Sequence, residues 1–140
     1  MKFLLDTNVI LYTISDDPVL PDEAREAINS NKDELFLSVV SIWEIVIKHA
    51  KNPSLLPVSG EYVARYCSES GIQFLPVTKE HVLAVSGLKT ENSHTDPFDR
   101  LLIAQSKCEA MTFMTCDGEL EGYHEPTVWS LKKKRKNSSQ

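Results

Sequence analysis

The sequence predicts an α/β fold with a parallel sheet and helices on both faces, and three observations predict it. Short apolar runs alternate with longer segments of helical patterning along the whole chain, no repeat or internal linker interrupts them, and acid-bearing polar turns follow the first and fourth runs. Parallel strands joined by right-handed crossovers are buried on two sides, and ligands bind beyond their carboxyl ends.

Taken in order, Phe3-Leu4-Leu5 is a strand stopped by Asp6-Thr7-Asn8, after which Val9 to Tyr12 fit a short helix. Pro21-Asp22-Glu23 opens a second helix with Ala24, Ala27 and Ile28 on one face, and Glu34 to Ser38 is a second strand. Val39 to Lys51 is long and dense in Val, Ile and Trp, which favours a buried helix that Pro53 and Pro57 end. Tyr62, Val63, Tyr66 and Cys67 mark another helix stopped by Gly71, and Ile72 to Val77 is a third strand. Thr78 caps a helix through Leu88. Asp96-Pro97-Phe98-Asp99 starts a helix with Pro in its first position, extending to Ala110. Thr112 to Thr115 is a fourth strand ending at Cys116-Asp117-Gly118, and Thr127-Val128-Trp129 is a possible fifth.

The 140 residues suit one domain with one core. No apolar run is long enough for a membrane span, and Asp6 interrupts the first one too early for a secretory leader, so a soluble, cytoplasmic protein is expected. Cys67, Cys108 and Cys116 are odd in number and lack metal or redox spacing, and are expected to be reduced and mostly buried. The net charge is −5, but five of the 15 basic residues lie within Lys132–Lys136. Residues 1–131, the expected domain, therefore carry 10 basic against 20 acidic side chains, while residues 132–140 form a basic tail expected to be disordered. An acidic body argues against a broad basic nucleic-acid face and suits a local site where cations bridge carboxylates to phosphates.

Singly, the acids have structural explanations. Asp6 and Asp96 can cap helices, Asp99 can complement a helix dipole, and Asp117-Gly118 is an ordinary turn pair. Glu44 is different, being the only charged residue between Ser38 and Ile47, where its charge demands a partner or an opening to solvent. If Asp6, Glu44, Asp99 and Asp117 meet at one rim of the sheet, their repulsion calls for cations. Magnesium suits oxygen ligands and phosphate substrates, and phosphodiester hydrolysis would follow. His49, His81, His94 and His124 form no metal-ligand pattern; surface or helix-end positions are expected, with His94 at the site rim beside Asp96.

Leu4-Leu5-Asp6-Thr7-Asn8-Val9-Ile10-Leu11, Ser38-x-x-Ser41-x-Trp43-Glu44-Ile45-x-Ile47-Lys48, His94-x-Asp96-Pro97-Phe98-Asp99-Arg100-Leu101-Leu102-Ile103-Ala104-Gln105 and Met114-Thr115-x-Asp117 occur in that order. Together they resemble the PIN-domain nucleases, and more narrowly the VapC-type toxins of bacterial toxin-antitoxin pairs, from about residue 2 to residue 130. The resemblance implies a three-layer α/β/α fold with a central sheet of four to five strands, and an endoribonuclease dependent on Mg2+, with Mn2+ able to substitute. It implies that Asp6 and Asp99 are the principal metal ligands, with Glu44 and Asp117 holding a second cation, its waters or the attacking water. It further implies a cytoplasmic homodimer inhibited by a cognate antitoxin. Asp96 matches an acid of this subgroup, as an N-cap or a water-mediated contact. Arg100 steers a phosphate or forms a surface ion pair, and Thr7, Ser41 and Thr115 support the acids by hydrogen bonds. Trp43 is expected in the core, with base stacking as its alternative. Ser106 and the basic tail depart from the common pattern without touching the acids.

Two other classes compete: a catalytically idle RNA- or protein-binding module of the same fold, and a phosphatase or phospho-receiver. The phosphatase would need an Asp where Asn8 stands, and the receiver an acidic pair and a late Lys that are not evident.

Overall fold

A computed structural model describes residues 1–30 and 34–134. Its elements are β1 (Phe3–Leu5), α1 (Thr7–Ser15), α2 (Asp22–Ser30), β2 (Leu35–Ser38), α3 (Val39–Lys51), α4 (Gly60–Ser70), β3 (Gln73–Leu75), α5 (Lys79–Ala84), α6 (Pro97–Glu109), β4 (Thr112–Thr115) and β5 (Val128–Ser130). Short 3-10 turns follow α5 at Val85–Gly87 and β4 at Gly118–Tyr123. The second of these carries no helical stripe in the sequence, since Leu120 and Tyr123 are its only apolar residues among two Gly and two Glu.

The five strands form one sheet in the order β3-β2-β1-β4-β5, and every pairing is parallel. Successive strands step outward from β1 to β3, then the chain returns to the other side of β1 for β4. The direction of winding therefore reverses between β1 and β4, where an open α/β sheet leaves a crevice at its carboxyl edge.

Two cores cover the two faces, as the alternation of side chains along a strand requires. Phe3, Leu5, Leu35, Leu37 and Met114 face a cluster with Val9, Ile10, Ala24, Ile28, Val63 and Cys67 from α1, α2 and α4. Leu4 and Phe113 face the opposite cluster, with Leu102, Ile103 and Ala104 of α6 and Leu120 and Tyr123 of the last 3-10 segment. Three layers result. Emptying the Phe113 site, which is fully buried, would cost about 3–5 kcal/mol, a large fraction of a small domain's stability.

Local chemistry sets the ends of the helices. Ser38, Ser59, Thr78 and Asp96 cap α3, α4, α5 and α6 through their side-chain oxygens. Gly71 ends α4 at φ 77°, the left-handed conformation that a residue without Cβ adopts at least cost.

Several expectations are corrected by packing. Trp43 is 58% exposed on α3, edge-on to Phe98 at 5.0 Å, because the part of α3 that contributes Val40, Ser41, Glu44 and Ile45 is the buried one. His81 takes a helix-end place, its Nδ1 accepting from Thr78 N–H in the α5 capping box, but it is buried there rather than on the surface, with Nε2 2.8 Å from Glu109. Cys108 is exposed, because it lies in the last turn of α6, beyond the buried run that ends at Ser106. The start of the basic tail lies against the body, with Lys134 N–H donating to Val19 O at 2.9 Å and its ammonium pairing with Asp22 at 2.8 Å. The rest of the tail, residues 135–140, lies outside the described residues.

Candidate metal centre

Asp6 follows β1 and caps α1, so strand and helix together place it at the carboxyl edge, 5% exposed. Its Oδ1 accepts from Thr7 N–H at 2.7 Å, and its Oδ2 accepts from the Thr115 hydroxyl at 2.7 Å, across 109 residues of sequence. Thr115 ends β4, and its Oγ also accepts from the Asp117 backbone N–H at 3.0 Å. One hydroxyl thus ties Asp6 to the segment that bears Asp117.

Glu44 reaches the same edge from α3, 6% exposed. The Thr7 hydroxyl lies 2.7 Å from its Oε1 and 2.9 Å from Ser41 Oγ, and Lys48, one turn further along, donates to Oε2 at 2.5 Å. A buried charge in an apolar segment has therefore found its partners. Burial pulls the Lys48 ammonium down, but its hydrogen bond to Glu44 and the charges of Glu44, Asp96 and Asp99 outweigh that and hold it above its ordinary pKa.

Asp99 stands third in α6, where the Asp96 cap directs it: Asp96 Oδ1 accepts from Phe98 N–H at 2.9 Å and Asp99 N–H at 3.1 Å. Asp99 Oδ2 faces His94 Nε2 at 3.1 Å, and His94 Nδ1 meets the Tyr123 hydroxyl at 2.8 Å. Arg100 donates to the same hydroxyl at 3.3 Å and to the carbonyls of Val85 and Leu88. Among the described residues it forms no ion pair, so the surface-pair alternative is not what the structure shows; its contacts instead clamp the loop before α6.

Charge couples the acids. Burial, then the charge of Asp99, pushes the Asp6 carboxyl up to about 7 against the hydrogen bonds of Thr115 and Thr7, and Glu44 adds to the rise. Burial, then the charges of Asp96, Glu44 and Asp117, pushes Asp99 up to about 7 against Lys48. Four distant segments thus feel one another's charge. Among the described residues, however, the ligand atoms that close to within 4.8 Å of one another belong to His94, Asp117 and Glu119, not to Asp6, Glu44 and Asp99.

The donor set fits a hard divalent cation. It offers carboxylate oxygens held by hydroxyls and backbone amides, with repulsion that one nearby ammonium does not offset. Glu119 and Tyr123 escaped sequence reasoning, because their 3-10 segment lacks a pattern; their spacing from Asp117 was the available signal.

A parallel α/β sheet with acids from four segments at its carboxyl edge defines an acid-rimmed domain suited to divalent cations and phosphate chemistry. The chain belongs to the PIN domain family, whose family model matches residues 3–125. Its fold is similar to that of VapBC2 from Rickettsia felis bound to a promoter DNA fragment, at 15% identity and a TM-score of 0.69, covering 96% of this chain and 100% of that one. It is similar also to DNA-bound VapBC from Salmonella typhimurium, at 19% identity and a TM-score of 0.68, covering 94% and 98%. A toxin-antitoxin complex from Klebsiella pneumoniae matches at 17% identity and a TM-score of 0.63, covering 92% and 97%. No curated protein matches the sequence.

Proposed function

We propose that this PIN domain is a divalent-metal-dependent endoribonuclease, the VapC-type toxin of a toxin-antitoxin pair. The observation that carries the reading is the electrostatic union of Asp6, Glu44, Asp99 and Asp117 at one sheet edge. Asp6 and Asp99 would hold the principal cation, with Glu44 and Asp117 positioned for a second cation or for the attacking water. Bound there, Mg2+ or Mn2+ would polarise a phosphoryl oxygen and lower the pKa of a coordinated water.

The surrounding residues fix the acids rather than react. Thr115 and the Thr7 amide orient both oxygens of Asp6, the Thr7 hydroxyl bridges Ser41 and Glu44, and Lys48 donates to Glu44 Oε2. Asp96 serves as the cap that presents Asp99.

The partner reading has separate support. A cavity of about 310 Å³ beside the acids is lined by Leu11, Leu55 and Leu56 together with Thr7, Lys48 and Lys51, a mixture suited to an amphipathic peptide of an antitoxin. Val39, Trp43, Val46 and Ile47 leave an apolar stripe exposed on α3, which suits a homodimer. No described helix is long and apolar enough to cross a membrane. Action on RNA in the cytoplasm completes the proposal.

The test is purified protein with single-stranded and structured RNA. Cleavage should require added magnesium or manganese, stop on chelation, and disappear in Asp6→Asn. Intact RNA under all metal conditions, from a folded protein, sinks the assignment and leaves a binding module.

A further inference from the structure

Lys133 sits beside the acidic rim but belongs to a segment that the family resemblance leaves unexplained. A cavity of about 410 Å³ is lined by Asn8, Tyr12, Cys116, Asp117, Gly118 and Lys133. It adjoins the apolar cavity of the preceding section through Asn8, which lines both. Polar groups line it, with Asp117 on its wall.

Neighbouring contacts hold Lys133 in place. Next along the chain, Lys134 is pinned by its backbone N–H to Val19 O at 2.9 Å and by its ammonium to Asp22 at 2.8 Å. Before it, Leu131 N–H bonds to Thr115 O at 2.8 Å, so the segment is anchored on both sides. Between these anchors the Lys133 ammonium stands 6.0 Å from the centre of the Tyr12 ring. Its charge reaches Cys116, where it opposes burial and the Asp6 carboxylate.

Of the neighbouring lysines, Lys48 is paired with Glu44 and Lys134 with Asp22, while Lys51 lines the apolar cavity instead. Among the described residues no carboxylate lies within ion-pair distance of Lys133. An unpaired ammonium, held at a polar cavity on an otherwise acidic body, is placed to receive a phosphate. Residues 1–131 carry twice as many acids as bases, so a strand approaching the acids needs such a cation close by.

We infer that Lys133 is a phosphate-binding residue that holds the backbone of the RNA strand where it passes the Asp117 side of the centre. The inference rests on the ribonuclease reading and adds to it the side on which the strand lies. The polar cavity takes the strand, whereas the apolar one across Asn8 suits a peptide.

The experiment measures binding of a fluorescein-labelled single-stranded RNA of about 15 nucleotides to the Asp6→Asn protein with magnesium, across a salt series. With Lys133→Ala added, affinity at low salt should fall about threefold to fivefold, the effect of one exposed charge contact. The slope of log K against log salt should become shallower by roughly 0.7, as one single-strand phosphate contact is lost. Lys133→Glu should weaken binding further. Lys107→Ala removes a lysine paired with Glu125 at the far end of α6 and should change neither quantity.

In the active protein, Lys133→Ala should raise KM by a similar factor with kcat and melting temperature unchanged. A salt slope and affinity equal to those of the Lys107→Ala control overturn the assignment, as does an affinity loss that salt does not modulate. Active wild type with an unaffected Lys133→Ala removes Lys133 alone. Wild type that neither binds nor cleaves RNA removes the ribonuclease reading and this inference with it.

Discussion

Replacing Asp6 by Asn should stabilise the metal-free protein while abolishing its chemistry. The Asp6 carboxyl is raised from 3.8 to about 7 by burial and by Asp99, so carrying its charge costs the fold about 4 kcal/mol well above neutrality. Asn caps a helix as well as Asp does, so the Thr7 amide keeps its acceptor. The Thr115 hydroxyl now meets an amide and must reverse its bond, a loss of roughly 1–2 kcal/mol. The net gain is about 2–3 kcal/mol, or roughly 6–9 °C in Tm for a chain of this size.

The sign with pH follows from the direction of the shift. A carboxyl whose folded pKa is raised binds its proton more tightly in the folded state, so its penalty is absent below about 3.8, grows between about 3.8 and 7, and is full above 7. The advantage of Asp6→Asn should therefore shrink by about 2 kcal/mol between pH 8 and pH 5.5. Differential scanning calorimetry in a chelating buffer at both pH values measures it. A variant that melts below wild type at pH 8, or a gap that pH leaves unchanged, would refute the idea that burial and the charge of Asp99 set the state of Asp6.

Saturating Mn2+ should raise the wild-type Tm at pH 8, by about 2.7 kcal/mol of stabilisation at one hundred times Kd, and leave the Asp6→Asn melt nearly unmoved; equal shifts in both would place the ion elsewhere. Asp96→Ala should cost about 1 kcal/mol of stability through the lost α6 cap and reduce cleavage only moderately, whereas a complete loss with unchanged stability would make it a ligand. His94→Phe breaks the contact between Asp99 and Tyr123 and should weaken Mn2+ binding roughly tenfold to a hundredfold by calorimetric titration, with His94→Gln recovering part of it. Unchanged affinity in His94→Phe would reduce that contact to packing.

Much of the architecture was legible because its signals are local. Strand and helix lengths follow from apolar runs and caps, and Asp96-Pro97 announces α6 because its oxygen and ring act within one turn. Glu44 was legible for another reason: an acid inside an apolar helix has few places to go except a site that neutralises it. The resemblance carried the remaining acids, including Asp117, whose local pattern is only that of a turn.

Residue order determined the alternating elements, the parallel sheet they imply, and the acids available to its carboxyl edge. Tertiary structure alone decided which surfaces are covered. Trp43 faces outward, His81 inward, Arg100 is committed to loop carbonyls, and Glu119 joins His94 and Asp117. Burial and charge coupling depend on neighbours tens of residues away, and the 109-residue span between Asp6 and Thr115 is closed by pairing β1 with β4. No local periodicity encodes such a contact.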